Sequence, residues 1–212
     1  MNMAAPRRVY RQSARAESAE ANAARVLDAF AAELRERWFD EIRLEDVARQ
    51  AGVTVQTVIR RFGGKEGLLE ANTARFGEQV RRRREVATGD VEGALASLIV
   101  DYEQAGDLVV RTLAQEDRHS AIKAMTEVGR ISHRRWISQA FAPWLETMDP
   151  EARRKAADAL VVAGDVYVWK LIRRDMKRPV REYRDLVERL CAAAVGVPRE
   201  QIFPQSDRKG RT

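Results

Sequence analysis

The chain has 212 residues, of which 45% are hydrophobic, so it can bury a sizeable core and is not disordered throughout. A single cysteine, Cys191, excludes an internal disulfide framework and a thiolate metal cage. With only two histidines as well, we expect neither a metal site nor a cofactor.

The excess positive charge lies in the N-terminal part of the chain. Residues 1–84 carry 17 Lys/Arg and 12 Asp/Glu, whereas residues 85–212 carry 21 Lys/Arg and 20 Asp/Glu. Such a basic region attracts a phosphate backbone, although a merely solubilising surface has the same composition. No apolar stretch is long enough to span a bilayer and the N-terminus does not resemble a signal peptide, so we expect a cytoplasmic protein without a membrane partner.

The apolar spacing predicts an all-α protein. Residues 1–16, with four arginines and no acid, are predicted to form a flexible basic arm. Apolar residues at helical spacing and the Gly and Pro positions then predict helices in the order of the chain. These helices are expected at 17–38, 44–51, 55–62, 65–86, 91–104, 107–115, 120–141, 150–175 and 181–195.

Residues 44–69 carry the most informative pattern, two short helices joined by a tight turn. The steep crossing of a helix-turn-helix favours a small residue such as Ala48 in its first helix and a glycine such as Gly52 in its turn. Val58 and Phe62 are expected to form the inner face of the second helix. The opposite face then turns towards solvent and would enter the major groove of DNA.

Residues 20–72 resemble the TetR-type family of bacterial transcriptional regulators. The shared features are listed here as they stand in this chain: Ala48, Gly52-Val53-Thr54, Thr57-Val58, Phe62 and Lys65-Glu66-Gly67-Leu68. The resemblance implies a repressor without enzymatic activity that binds double-stranded DNA as a homodimer. A small-molecule effector would release it from a palindromic operator.

Two positions depart from the family pattern. The family usually has a tyrosine, whose hydroxyl reaches a phosphate, where this chain has Ile59. It often has a helix-capping threonine where this chain has Arg43. The residues predicted to contact DNA, some through bases and others through phosphates, are Arg43, Thr54, Val55, Gln56, Thr57, Arg60, Arg61 and Lys65.

The C-terminal helices would, by the same resemblance, bind the effector and form the dimer. Aromatic and polar side chains that could line an apolar pocket, or simply form an ordinary core, are Tyr102, Met125, His133, Trp136, Phe141 and Trp144. Apolar side chains that could form an interface between the last two helices of each subunit are Leu160, Gly164, Tyr167, Leu171, Leu186 and Leu190.

The predicted domains are a flexible basic arm (1–16), a helix-turn-helix domain (17–67), a helical effector-binding and dimerisation domain (68–197) and a polar tail (198–212). Two other functions remain open, an activator of the same fold and a non-specific DNA-binding protein. An enzyme is not expected, because the chain has no glycine-rich phosphate loop and none of the familiar hydrolase or zinc motifs.

Overall fold

The computed structural model describes the backbone of residues 6–204 and the side chains of residues 16–204. Over this range the chain is helical and contains no strand, which confirms the predicted all-α class. It divides into two compact units, residues 1–76 and 77–212. None of the helices within the described range is long and apolar enough to cross a membrane.

The first unit is a small helical domain. Its elements are α1 (Pro6–Glu36), a 3₁₀ turn (Phe39–Glu41), α2 (Leu44–Ala51), α3 (Val55–Phe62) and the start of α4 (Lys65–Arg83). The predicted helix-turn-helix elements α2 and α3 have their predicted bounds. The predicted flexible arm is wrong from Pro6 onwards, because the backbone there already belongs to α1. The side chains of the arginines at 7–15 lie outside the described residues.

The turn between α2 and α3 follows from its sequence. Gly52 ends α2 with φ 66°, a left-handed conformation that costs glycine little. Thr54 then caps α3 by accepting a hydrogen bond from the backbone N–H of Thr57. These local signals fix both ends of a turn only a few residues long.

The second unit contains the remaining helices. They are α5 (Val91–Leu113), α6 (Ser120–Ala140), α7 (Ala142–Leu145), α8 (Pro150–Ala163), α9 (Val166–Lys170), a π-helical turn (Leu171–Asp175), α10 (Val180–Val195) and α11 (Arg199–Ile202). Their buried side chains form one core, whose largest fully enclosed members are Trp169, Tyr183, Leu98 and Leu160.

Gly106 is a point where the structure differs from the expected helices. The sequence suggests a break between 104 and 107, but α5 runs through it without interruption. A Cβ atom at position 106 would lie 2.4 Å from Cζ3 of Trp169. The glycine therefore makes room for an indole ring, and its role is packing rather than a turn.

The helix expected over 150–175 is divided into three elements. The α-helical pattern stops at Ala163, and Asp165 starts α9 by accepting a hydrogen bond from the backbone N–H of Tyr167 at 2.8 Å. The predicted polar tail is also wrong in its first residues. Ile202 and Phe203 are buried, with 5% and 3% of their surface exposed.

We predict opposite effects of alanine at two helical glycines. Gly106→Ala should lower the free energy of unfolding by about 1–3 kcal/mol, because the new methyl group must displace the Trp169 ring. Gly129→Ala, in open space on α6, should raise it by up to about 1 kcal/mol. Urea denaturation followed by circular dichroism measures both, and a stable Gly106→Ala protein would contradict this packing.

Candidate nucleic-acid interface

The rotation of α3 about its axis is set by Val58, which is completely buried. The helix packs on α2, whose inner side chains Val47 and Ala48 are buried as well. Gln56 and Arg60, four residues apart, are exposed on the other side. The predicted outward orientation of these two side chains is confirmed, while their contact with DNA stays a prediction.

Two threonine hydroxyls lie at the start of α3. Thr54 Oγ1 accepts from the backbone N–H of Thr57 at 3.2 Å and lies 2.9 Å from Thr57 Oγ1. One hydroxyl hydrogen makes their mutual bond, so the other can be donated to an outside acceptor. Val55 beside them is half-buried. The helix end thus offers a hydroxyl donor together with its own backbone dipole.

The arginines predicted at this surface are exposed. Arg43 precedes α2, and Arg60 lies in the second turn of α3. Arg61 forms an ion pair with Glu20 of α1 at 2.6 Å, and both side chains are more than half exposed. Because an exposed pair of this kind is worth at most about 1 kcal/mol, Arg61 can exchange the carboxylate for a phosphate.

Lys65 has a different role from the one predicted. Its ammonium donates to the backbone carbonyls of Phe39 at 2.8 Å, Asp40 at 3.2 Å and Ile42 at 3.2 Å. An ammonium group has three hydrogens, so these carbonyls use all of them. The expected phosphate contact is therefore corrected: Lys65 ties the start of α4 to the 3₁₀ turn.

Arg25 is a positioning residue that the sequence pattern did not reveal. Its guanidinium donates from Nε to the carbonyl of Ala51 at 3.1 Å, which satisfies an acceptor at the last turn of α2. Gln50 on the same turn donates to the largely buried carboxylate of Glu33. These contacts fasten α2 to α1, and nothing in their spacing distinguishes them from an ordinary polar helix face.

The residues predicted to line an effector pocket lie in a filled region. Tyr102 donates from its hydroxyl to the carbonyl of Gly164 at 3.0 Å, and Trp136 donates from Nε1 to the carbonyl of Arg84 at 2.9 Å. The cavity lined by Trp136, Phe141 and their neighbours has a volume of about 20 Å³. That is room for one water molecule and not for an organic effector.

Only part of the predicted set shares that cavity. His133 has its ring 6.0 Å from Trp136 and Trp144 lies 6.0 Å from Phe141, while Met125 is half-buried elsewhere on α6. Burial, together with the nearby charge of Arg84, lowers the pKa of His133 to about 4. The imidazole is therefore uncharged at neutral pH.

Arg84 contacts several residues of this region, which its sequence position did not predict. It ends a run of four arginines at 81–84, in which Arg81 and Arg82 are exposed. Arg84 instead pairs with buried Asp101 at 2.6 Å, and its guanidinium lies 5.0 Å from the ring centre of Trp136. A basic run of this kind gives no indication of which member pairs with a buried carboxylate.

The predicted interface residues fall into two groups. Leu160 and Gly164 are buried inside the second unit, where a Cβ at 164 would lie 3.2 Å from Ile137 Cδ1, and they are corrected to core positions. Exposed apolar side chains remain at Tyr167 (54%), Leu171 (50%) and Leu190 (40%). Leu186 is half-buried. After the break at Ala163 the helix still contributes to the core, since Trp169 is completely buried, while Tyr167 and Leu171 on either side of it are exposed.

Comparison with known proteins agrees with this architecture. Residues 26–71 match the family model described as bacterial regulatory proteins, tetR family, which confirms the predicted resemblance. A crystal structure of a proposed transcriptional regulator from Pseudomonas aeruginosa PAO1 is similar in fold, with a TM-score of 0.62. The two chains are 16% identical, and the similarity covers 84% of this chain and 92% of the other. No curated protein matches the chain.

The contacts of Lys65 predict a loss of stability when its charge is removed. Lys65→Met keeps most of the apolar stem but leaves three carbonyls without their donor, which should cost about 1–3 kcal/mol. Arg60→Ala, at an exposed position of the same unit, should change stability by less than about 0.5 kcal/mol. Equal urea midpoints for the two variants would show that these hydrogen bonds contribute little.

Proposed function

We propose that this chain, a TetR-family DNA-binding regulator by its N-terminal unit, is a sequence-specific repressor and has no enzymatic activity of its own. The observation that carries the proposal is the one-sided burial of α3, with Val58 in the core and Gln56 and Arg60 exposed together. A helix-turn-helix of this kind places its second helix in the major groove. Such a repressor works in the cytoplasm, where its operator is accessible.

The exposed side chains suit the two kinds of contact that specific DNA binding needs. Gln56 can pair with the edge of adenine and Arg60 with that of guanine, so these two residues would read the sequence. Arg43, Thr54 and Arg61 flank them and would bind phosphates, which sets the position of the helix without reading bases. Val55 and Thr57 would lie at the edge of this contact.

A homodimer is the second part of the proposal. α10 packs on α8 and on the π-helical turn, and exposed apolar side chains remain on these elements. They include Val162 (63%), Leu171 and Leu190, and Tyr167 is exposed on the adjoining α9. Apolar surface on elements that pack together favours burial against a second copy. The two-fold axis of such a dimer would match a palindromic operator.

A small-molecule effector completes the proposal. The aromatic region around Trp136 and His133 supports it, because an uncharged imidazole and indole rings suit a partly aromatic ligand. The cavity of about 20 Å³ means that an organic ligand must displace side chains as it binds. Ligand entry would therefore require a rearrangement of this core, which is what a regulator needs in order to respond.

The base-reading role of α3 is tested by operator binding. Selection from random duplexes should yield a near-palindrome with its half-sites on one side of the helix. Gln56→Ala and Arg60→Ala should each cost about 1–3 kcal/mol at one preferred base and relax the choice there. Quantitative binding to operators changed at single positions measures both effects.

Arg43→Ala supplies the matched control for this experiment. Loss of a phosphate contact should weaken binding to all sequences alike and reduce the slope of affinity against salt by about one unit. The proposal fails if random selection enriches no sequence, which is the behaviour of a non-specific DNA-binding protein. It also fails if Gln56→Ala and Arg60→Ala leave base preference unchanged.

The dimer is tested at its exposed apolar residues. A double variant with Tyr167→Glu and Leu171→Glu should remain folded, because both side chains are about half exposed, and should sediment as a monomer. The expected cost to association is about 2 kcal/mol or more. The control is Val128→Glu with Ile131→Glu on α6, which are similarly exposed and should leave the dimer intact. A dimeric double variant would place the interface elsewhere.

A further inference from the structure

We propose that Ile59 reads the methyl group of a thymine in the operator, which adds an apolar element to the polar readout by Gln56 and Arg60. The inference rests on the function proposed above. It assigns a specificity role to the position at which the chain departs from its family's phosphate-binding tyrosine.

The observation behind it is the exposure of an isoleucine on the outer face of α3. Ile59 has 41% of its surface exposed, whereas its neighbour Val58 is completely buried. Residues 56, 59 and 60 stand at i, i+3 and i+4, so their side chains form one stripe along the helix. The surface that would enter the groove thus carries an apolar patch beside an amide and a guanidinium.

The chemistry of the major groove offers one partner for that patch. Thymine presents its C5-methyl group there, and apolar side chains contact it. The isoleucine side chain has no hydrogen-bond donor, so it cannot bind a DNA phosphate as a tyrosine hydroxyl can. As a β-branched residue it keeps one strongly preferred χ1 rotamer in a helix, which presents its methyl groups in a fixed place.

The position of Ile59 distinguishes it from other exposed apolar side chains. Single exposed isoleucines are ordinary on protein surfaces and need no partner. Ile59 instead lies within one helical turn of both proposed base-reading residues, so it would lie beside the bases at the border of a groove that receives Gln56 and Arg60. A contact between methyl groups would remove apolar surface of both molecules from water.

Deoxyuridine tests this contact because it lacks only the C5-methyl group of thymidine. Each thymine of the selected operator is replaced in turn, symmetrically in both half-sites, and affinity is measured for the full-length protein. At one position the wild-type protein should lose about fourfold in affinity per half-site, the effect of one buried methyl group. Ile59→Ala should bind thymine and deoxyuridine operators equally at that position, and Ile59→Val should keep part of the preference.

Ile131→Ala is the matched control, since it shortens an exposed isoleucine of α6, outside the proposed DNA interface, and should leave the preference for thymine intact. The inference is overturned if no position responds to deoxyuridine, or if Ile59→Ala shows the same loss as the wild-type protein. In both cases the proposed function still stands, provided that Arg60→Ala relaxes base choice. Enrichment of no operator at all would overturn both.

Discussion

The complete burial of Val58 is the constraint on which the proposed interface depends. Each helical residue is rotated by 100° from the last, so one side chain fixed in the core sets the direction of every other residue in a helix of two turns. The Thr54 cap and the left-handed Gly63 fix its two ends. The outer face is therefore preorganised before any partner arrives, and little ordering free energy remains to be spent on binding.

In the second unit, buried carboxylates that pair with arginines fix the positions of neighbouring helices. Glu188, only 1% exposed, accepts from Arg184 at 2.7 Å and also pairs with Arg199 of α11. Removing one partner of such a group leaves a charge in a poorly solvated place, which is strongly destabilising. The same pairing explains why α11 is ordered. Arg199 joins the C-terminal segment to α10, and Ile202 and Phe203 then reach the core.

Local signals predicted the two helices of the helix-turn-helix, whereas tertiary contacts decide much of the rest. A glycine turn, a capping threonine and helical spacing act over a few residues, so α2 and α3 have their predicted bounds. The predicted helix break at Gly106 and the predicted interface position of Gly164 were wrong because the side chains that contact these glycines, Trp169 and Ile137, are distant in sequence. The predicted phosphate contact of Lys65 was wrong for the same reason, because its carbonyl partners lie in and next to the 3₁₀ turn, more than twenty residues earlier.

The contacts of Arg84 set the conditions under which the proposed effector would bind to the second unit. Buried Asp101 accepts from Arg84 at 2.6 Å and from Arg83 at 2.7 Å, so two guanidinium groups share one carboxylate. Burial, together with the nearby charge of Arg84, lowers the pKa of His133 to about 4, so the imidazole adds no further positive charge. A ligand that displaced Trp136 would leave the carbonyl of Arg84 without the hydrogen bond from the indole Nε1, and a buried acceptor without a donor is costly. The proposed effector would therefore have to supply a hydrogen-bond donor as well as apolar surface.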